Sequence, residues 1–387
     1  MISALTAGAM RLQQRLASFY FFYYATVGAF MPYWSPYLAA RGFSPVQMGI
    51  AYALMGMMRT VVPLAWGWYA DHSGKRIQLI RVASLAALVL FLAIPFMPTV
   101  FWVGAVMMGY TVFWHALLPQ FEVVALSHLA TSGGDYPRVR LWGSVGFVIS
   151  VLGLGMLLDI TGIIWLPWLV GSFWFGMAMS TWLVPEPPAF HANHSERPSI
   201  WLALKNPVVL PLLIACFCSQ LSFAPYYNFF TLFLERHHCA HSYVGLLWTL
   251  GVVAEIGMFM IAARVIGRLG ARKVMLMALG ATVLRWSATA AAVDSLAVLL
   301  VAQAAHALSF GAYHAVAMHY VQRLFPGALQ GRGQAVYNAV AYGVGGSIGS
   351  IASGYLWEGL SPEAVFYSAG LVALFGFWVA YRKLPDV

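Results

Sequence analysis

The chain has 387 residues, of which 61% are hydrophobic and only 9% are Asp, Glu, Lys or Arg, and its formal net charge is +9. Soluble domains carry roughly 25% charged residues, so this composition excludes a chain of two or three soluble domains. Basic loops beside a membrane explain the positive charge, and we expect no nucleic-acid partner.

Apolar stretches of spanning length follow one another along the chain, since about 20 helical residues cross a hydrocarbon core of ~30 Å. Before residue 185 we predict spans at 17–40, 45–69, 77–97, 100–128, 139–159 and 162–184. Further predicted spans are 208–234, 242–266, 273–293, 296–322, 333–356 and 363–381. The pattern predicts an all-α membrane protein with twelve transmembrane helices in two six-helix pseudo-symmetric halves, 1–184 and 208–387, joined by a cytosolic central loop, 185–207.

The lysines and arginines indicate the orientation of these spans. With the N-terminus inside, the predicted outer loops hold only Arg41 and Arg236, whereas the inner loops and their edges hold nearly all the others. Positive charge marks the cytosolic side of a membrane protein. We therefore expect an integral protein of a bacterial cytoplasmic (inner) membrane with both termini in the cytosol.

Two loops at equivalent places in the predicted halves are related. The glycines and charged residues of the loop after the second span are Gly67, Asp71, Gly74, Lys75 and Arg76. The loop after the eighth span contains Gly270, which follows Gly74 by 196 residues (270 − 74), close to half the chain. Repeated halves are typical of secondary transporters. We expect the first loop to join helix ends and act in gating rather than to contact a substrate.

Among the charged residues inside predicted spans, four are candidates for a role in transport, namely Arg59, Glu122, Glu255 and Arg285. A charge at mid-bilayer costs roughly 2.5–3.5 kcal/mol on insertion scales, so such residues face the protein interior, pair or line water. Arg59 and Glu255 are 196 residues apart (255 − 59) and so hold equivalent positions on the second and eighth helices. Structural ion pairing and a role in transport both fit this pattern. Glu122 and Glu255 are both candidate proton carriers.

A candidate solute site combines one acid, one arginine and aromatic residues. His115 and Glu122 are seven residues apart and share a face of the fourth helix. Arg140 begins the fifth helix, and a Glu122–Arg140 pair would bind a polar solute or free Arg140 for a carboxylate. Asn228 lies in an aromatic segment of the seventh helix, where a buried amide needs a partner. Such a site suits an aromatic carboxylate, and a sugar or nucleoside almost as well.

The tenth span contains a face with possible proton chemistry. His306, Phe310 and Tyr313 are spaced at i, i+4 and i+7, so an ideal helix places them on one face. On the same ideal helix His314 lies roughly 80° away from His306. His306 fits either an interhelical hydrogen bond or a proton path, and the sequence leaves both open.

These motifs together resemble the major facilitator superfamily. The loop from Gly67 to Arg76 matches the superfamily signature after the second helix, apart from His72. A narrower resemblance, to the lactose permease-like branch and its phenylpropionate permease family, covers essentially the whole chain. The segments that carry it are Glu122, residues 136–147, Arg285-Trp286 and residues 306–314.

The resemblance implies substrate-binding residues in the first half. Glu122 and Arg140 match the substrate-binding acid and arginine of lactose permeases. Phe147 stands where those proteins stack a tryptophan on the sugar ring. With His115 and Asn228, these residues form the expected solute site.

The resemblance also implies proton-coupling residues. Arg285 and His306 match the coupling arginine and histidine of lactose permeases, whereas Ser309 replaces their coupling carboxylate. Glu255 approximates the carboxylate of their eighth helix, and we add Arg59 as its counterpart on the second. The implied function is a secondary active transporter that moves protons with a small organic solute, such as a 3-phenylpropionate-like aromatic carboxylate, by alternating access. Symport of a sugar, oligosaccharide or nucleoside is the alternative.

Other functions are less favoured by the sequence. A phosphate-binding loop of the GxxxxGK[ST] type does not occur, which argues against an ATP-driven pump. A membrane enzyme would need a catalytic cluster, and we interpret His237, His238 and His241 as a solvated outer loop. Cys216, Cys218 and Cys239 have no metal-binding spacing. We expect no enzyme, no metal and no cofactor. The expected partners are the solute, protons and the lipid bilayer, with a monomeric chain by analogy, while efflux and lipid flipping remain open.

Overall fold

The computed structural model describes residues 2–132, 134–186 and 199–386, and the regular elements in these ranges are helices. The first six long helices are α1 (Ile2–Ala40), α2 (Pro45–Ser73), α3 (Arg76–Ala93), α4 (Val100–Ser132), α5 (Tyr136–Thr161) and α6 (Leu166–Trp182). A short helix, Ile200–Leu204, comes next. The others are α7 (Val209–Arg236), α8 (His241–Leu269), α9 (Ala271–Ala291), α10 (Leu296–Leu324), α11 (330–359) and α12 (Pro362–Lys383).

Ten of the described helices, α2 to α10 and α12, are long and apolar enough to cross a membrane. The predicted class of an all-helical integral membrane protein is therefore confirmed. Helices α1 and α11 are not among the ten. Tyrosines and prolines in α1, and glycines and serines in α11, lower the mean hydropathy of those helices.

One compact unit consists of residues 1–43 and 58–193. Within it α1 packs against α5 and α6, and α3 packs against α4 and α6. The closest approach needs a glycine, because a Cβ at Gly146 of α5 would lie 2.2 Å from the carbonyl oxygen of Phe21. Large aromatic side chains fill the interior, and Trp34 and Trp174 are fully buried.

The other compact unit consists of residues 44–57 and 194–387. Its α7 packs against α11 and α12, and α9 packs against α12. Small residues let the backbones approach, as is common between membrane helices. A Cβ at Gly349 of α11 would lie 2.5 Å from the carbonyl oxygen of Leu221, and one at Gly49 would lie 2.4 Å from that of Ser350.

Two helices of this second unit contain π-helical segments, Ala307–Ala312 in α10 and Ala339–Gly345 in α11. A π segment bonds i to i+5 rather than i to i+4, and such segments frequently occur at functional sites. The segment in α10 begins directly after His306 and contains Ser309. It therefore sets the direction of several side chains that the sequence marks as candidates.

Candidate functional site

Arg285, His306 and Glu255 form a hydrogen-bonded chain inside the second unit. A guanidinium nitrogen of Arg285 lies 2.7 Å from Nδ1 of His306, and Nε2 of the same ring lies 3.2 Å from a carboxylate oxygen of Glu255. Arginine can only donate, so Nδ1 accepts and Nε2 carries the proton that it donates to Glu255. Helices α8, α9 and α10 thus bring three predicted residues into direct contact.

Arg285 is the most enclosed member of this chain, with 2% of its surface exposed. It also donates to Oε1 of Gln303 at 3.0 Å and to Oγ of Ser309 at 3.2 Å. Aromatic rings surround the guanidinium, whose central carbon lies 4.4 Å from the ring centre of Tyr226 and 4.5 Å from that of Trp286. Hydrogen bonds and cation–π attraction compensate for part of the cost of burying this charge.

Histidines and an aromatic residue form a stacked row along α10. The ring of Phe310 lies between two histidines, 5.2 Å from His306 and 6.0 Å from His314, and the planes are within 9° of parallel. Tyr313 donates to the carbonyl oxygen of Cys216 on α7, and His306 and Phe310 lie beside Phe223 of the same helix. His306, Phe310 and Tyr313 therefore all contact α7, and His314 continues the row at a spacing of i, i+4.

His314 extends this stack into a polar contact with α11. Its Nδ1 lies 3.3 Å from the hydroxyl of Tyr342 and 3.5 Å from that of Tyr337. Asn228 makes a separate contact between α7 and α11, where its Nδ2 donates to Oγ of Ser350 at 2.7 Å. The amide of Asn228 therefore has the kind of partner that its place in an aromatic helix requires.

Glu122 and Arg140 lie in the first unit, and each contacts a different tyrosine. The hydroxyl of Tyr136 donates to a carboxylate oxygen of Glu122 at 3.4 Å, and Arg140 donates to the hydroxyl of Tyr24. The guanidinium carbon of Arg140 also lies 4.0 Å from the ring centre of Tyr24. Among the described ion pairs within 4.0 Å, none joins Glu122 to Arg140, although the two charges attract each other at longer range.

The remaining first-unit candidates differ in exposure. Phe147 of α5 is 8% exposed. His115 is partly buried and stacks on Trp114 at 5.7 Å. Arg59 of α2 is exposed, and its charge acts on the hydroxyls of Tyr23 and Tyr24.

The signature loop between α2 and α3 is held by its own charges. Arg76 forms an ion pair with Asp71 and donates to Oε1 of Gln120 on α4. Gly74 has φ +66, a left-handed conformation that favours glycine. Lys75 is exposed, and a Cβ at Gly67 would lie 3.6 Å from Nε2 of Gln120. These contacts hold the end of α2 and the start of α3 against α4.

The histidines near the start of α8 pair with carboxylates. His237 lies 2.7 Å from Asp294, and His241 lies 2.9 Å from Glu235. His238 has φ 58, a left-handed backbone conformation that is unusual for a residue other than glycine. These contacts connect the end of α7 and the start of α8 with the loop that follows α9.

Comparison with known proteins decides the family. The model of the MFS_1 like family, part of the major facilitator superfamily, matches residues 13–368. The chain belongs to this family. A relative from Escherichia coli K12, named Probable 3-phenylpropionic acid transporter, is 32% identical over 96% of this chain and 98% of its own length. Maltose permease from Geobacillus stearothermophilus is 28% identical over 93% of this chain and 92% of its own length.

Solved structures agree with this MFS_1 like assignment. The nucleoside transporter NupG, in a variant form, superposes with a TM-score of 0.87 at 15% identity, covering 97% of this chain and 100% of the other. A bacterial homologue of the lysosomal transporter Spinster gives 0.75 at 13% identity, covering 97% of each chain. The sequence relatives and the proteins in these solved structures are transporters. The predicted class of membrane transporter is therefore confirmed, and so is the expectation that this chain is not an enzyme.

Several residues of the candidate site were not predicted from the sequence. Gln303 and Tyr226 contact each other at 3.1 Å, and the Oε1 of Gln303 also accepts from Arg285. Tyr24 holds Arg140 in the first unit. The available signal for Gln303 was its amide in an otherwise apolar stretch, three residues before His306.

Proposed function

We propose that this chain is a secondary active transporter that moves a small organic solute together with protons, by alternating access. The observation that carries the proposal is the buried chain of Arg285, His306 and Glu255. Buried charges are retained in membrane helices chiefly where they move protons, ions or substrates. Glu255 is the member with the greatest access to water, at 18% exposed, and we assign it the proton.

The proposed solute-binding residues in the first unit are Glu122, Arg140, Phe147 and His115, with Asn228 proposed in the second. Support for the first pair comes from the tyrosine contacts of Glu122 and of Arg140 and from the attraction between the two charges. A polar solute could exchange with these hydrogen bonds at low cost, because neither charged group is fully buried. Arg59 is proposed to assist proton coupling through its charge.

The proposed topology is the one that the charge pattern favours. It has twelve transmembrane helices, including α1 and α11, in halves 1–184 and 208–387 joined by the loop 185–207. Residues 187–198 of that loop lie outside the described part of the chain. Both termini lie in the cytosol, the membrane is a bacterial inner membrane, the signature loop gates the cytosolic side, and the chain works as a monomer.

An aromatic carboxylate such as 3-phenylpropionate is the proposed solute. Support comes from the buried arginine among aromatic rings and from the 32% identical relative named for 3-phenylpropionic acid. A nucleoside or a sugar is the second candidate. The TM-score of 0.87 with a nucleoside transporter and the 28% identity with a maltose permease favour it.

The test is uptake of radiolabelled 3-phenylpropionate by proteoliposomes with an imposed inward proton gradient. We expect accumulation above equilibrium that an uncoupler abolishes, with protein-free liposomes as the control. Competition with unlabelled maltose and nucleosides ranks the second candidate in the same assay. Accumulation that is indifferent to the gradient would contradict proton coupling, and no accumulation of any of these solutes would contradict the solute classes.

A further inference from the structure

The hydrogen bonds around Arg285 leave more donors than acceptors. Nε of Arg285, Nε2 of Gln303 and Nε1 of Trp286 are all buried and lack a hydrogen-bond partner among the described residues. Arg285 and Gln303 contact each other directly, and the ring of Trp286 packs on the guanidinium. Three unpaired donors therefore belong to one cluster. It is called the Arg285 cluster below and consists of Arg285, Gln303, Trp286 and Tyr226.

The acceptors of this cluster are already in use. Oε1 of Gln303 accepts from both Arg285 and Tyr226, and Nδ1 of His306 accepts from Arg285. The nearest carboxylate, Glu255, is engaged by Nε2 of His306. A buried donor without a partner costs about 1–3 kcal/mol. Three such donors around one cation are expensive for a structural ion pair, which would need only Glu255.

We propose that the Arg285 cluster binds the carboxylate of the transported solute, with Arg285 and Gln303 as its donors. Planar carboxylates fit the fork of a guanidinium and take hydrogen bonds from neighbouring amides. The chemical class is a monocarboxylate with an aromatic or other flat apolar body. This inference rests on the proposed transport function and names the group by which the solute is recognised.

The walls of the cluster suit the apolar part of such a solute. Tyr226 stacks on Trp248 with 4.6 Å between ring centres, and Trp286 lies 5.0 Å from the ring of Phe223. These rings offer flat surfaces beside the guanidinium, where an aromatic ring stacks favourably. Arg285 is 2% exposed, so binding requires a local opening, and the adjoining irregular backbone is the π segment Ala307–Ala312.

The decisive variant is Gln303→Glu, which has the same shape but replaces the amide donors with a carboxylate. The new carboxylate of Gln303→Glu accepts the hydrogen bonds that the carboxylate of the solute would otherwise accept. We expect this variant to fold with unchanged or higher thermal stability and to bind 3-phenylpropionate at least about tenfold more weakly, the loss expected for one charge-assisted hydrogen bond. The matched control is Gln220→Glu, the same change at a buried glutamine of α7.

Binding is measured by titrating the purified wild-type and variant proteins with 3-phenylpropionate and with the neutral 3-phenylpropionamide, beside wild-type uptake in proteoliposomes. Selective binding of the acid by the wild type, lost in Gln303→Glu and kept in Gln220→Glu, supports the proposal. Equal binding of acid and amide overturns it, as does a Gln303→Glu protein that binds the acid like the wild type. In both of those cases, uptake of 3-phenylpropionate by the wild type would leave the transport function standing. Uptake of only maltose or nucleosides would overturn the carboxylate site alone.

Discussion

Glu255 is the residue at which we propose that proton coupling can be separated from solute binding. Its carboxylate accepts from His306, while Arg285 at the other side of the imidazole stays buried. While Glu255 is unprotonated, the three hydrogen-bonded side chains Arg285, His306 and Glu255 hold one cation and one anion, so the net charge of the three is zero. Protonation of Glu255 leaves an uncompensated buried cation, which favours the arrival of an anionic solute.

We expect Glu255→Gln to abolish proton-driven accumulation but to keep exchange of labelled for unlabelled solute. Glutamine can still accept a hydrogen bond from His306, yet it cannot take up or release a proton. Accumulation should fall to the level of protein-free liposomes, and solute exchange should become insensitive to pH. Both quantities are measured in proteoliposomes preloaded with or without unlabelled 3-phenylpropionate.

Glu122→Gln serves as the comparison, because Glu122 is the other candidate proton carrier. Proton-driven accumulation that survives in Glu255→Gln and disappears in Glu122→Gln would move the proton to the first unit.

The same residues show what a sequence reveals at this scale. Glu255, Arg285 and His306 could be selected because charged or titratable groups are rare and costly inside apolar spans. Gln303 and Tyr226 could not, since uncharged polar and aromatic side chains occur throughout the chain without special meaning. Their roles depend on direct contact with Arg285, which only the packing of α7, α9 and α10 produces.

At the scale of elements, α10 shows where helical periodicity stops being informative. An ideal helix places His306, Phe310 and Tyr313 on one face, and in the structure all three contact α7. Periodicity does not reveal the π segment. The existence and bounds of the helix follow from apolar residues. The π segment Ala307–Ala312 depends on tertiary contacts, including a close approach at Gly311, where a Cβ would lie 3.1 Å from Met258.

Close packing of α11 on α7 leads to a prediction at two glycines. A Cβ at Gly349 would lie 2.5 Å from the carbonyl oxygen of Leu221 and 2.7 Å from Cβ of Ala224, whereas nothing lies within 4 Å of one at Gly346. We expect Gly349→Ala to lower stability by about 1–3 kcal/mol through overpacking. Gly346→Ala should leave stability unchanged or raise it by up to about 1 kcal/mol, because alanine favours a helix.

Thermal unfolding of the two purified variants in detergent measures this difference. Equal melting temperatures would show that α11 does not approach α7 as closely as the structure places it.

At the scale of the whole molecule, cysteine labelling can test the orientation of the protein in the membrane. Cys239 lies between α7 and α8 and is partly buried, whereas Cys216 and Cys218 are buried within α7. The proposed topology places Cys239 outside. We expect a membrane-impermeant maleimide to label Cys239 in intact cells, and a Lys75→Cys, Cys239→Ser protein only after permeabilisation. The opposite pattern would reverse the orientation.

The rate of this labelling should depend on pH in a defined direction. Burial, and to a smaller extent the charge of Asp294, raise the pKa of the Cys239 thiol above its usual value. The reactive thiolate is therefore scarcer at neutral pH than for a free cysteine, and labelling should keep accelerating as the pH rises through the ordinary thiol range. A rate that levels off at or below the pH at which free cysteine does would contradict this environment for Cys239.

The sequence alone determined that this chain is a helical membrane transporter, because hydropathy, charge bias and the signature loop are local properties of the chain. It also singled out the ionisable residues that an apolar environment makes costly. Tertiary structure alone decided which of them meet. In the second unit Arg285 contacts His306, and His306 in turn contacts Glu255, while Arg140 is held by Tyr24 rather than directly by Glu122. Such pairings depend on how far each helix is rotated about its axis and on how closely its neighbours approach. Small residues and π segments that are distant in sequence determine the rotation and the approach.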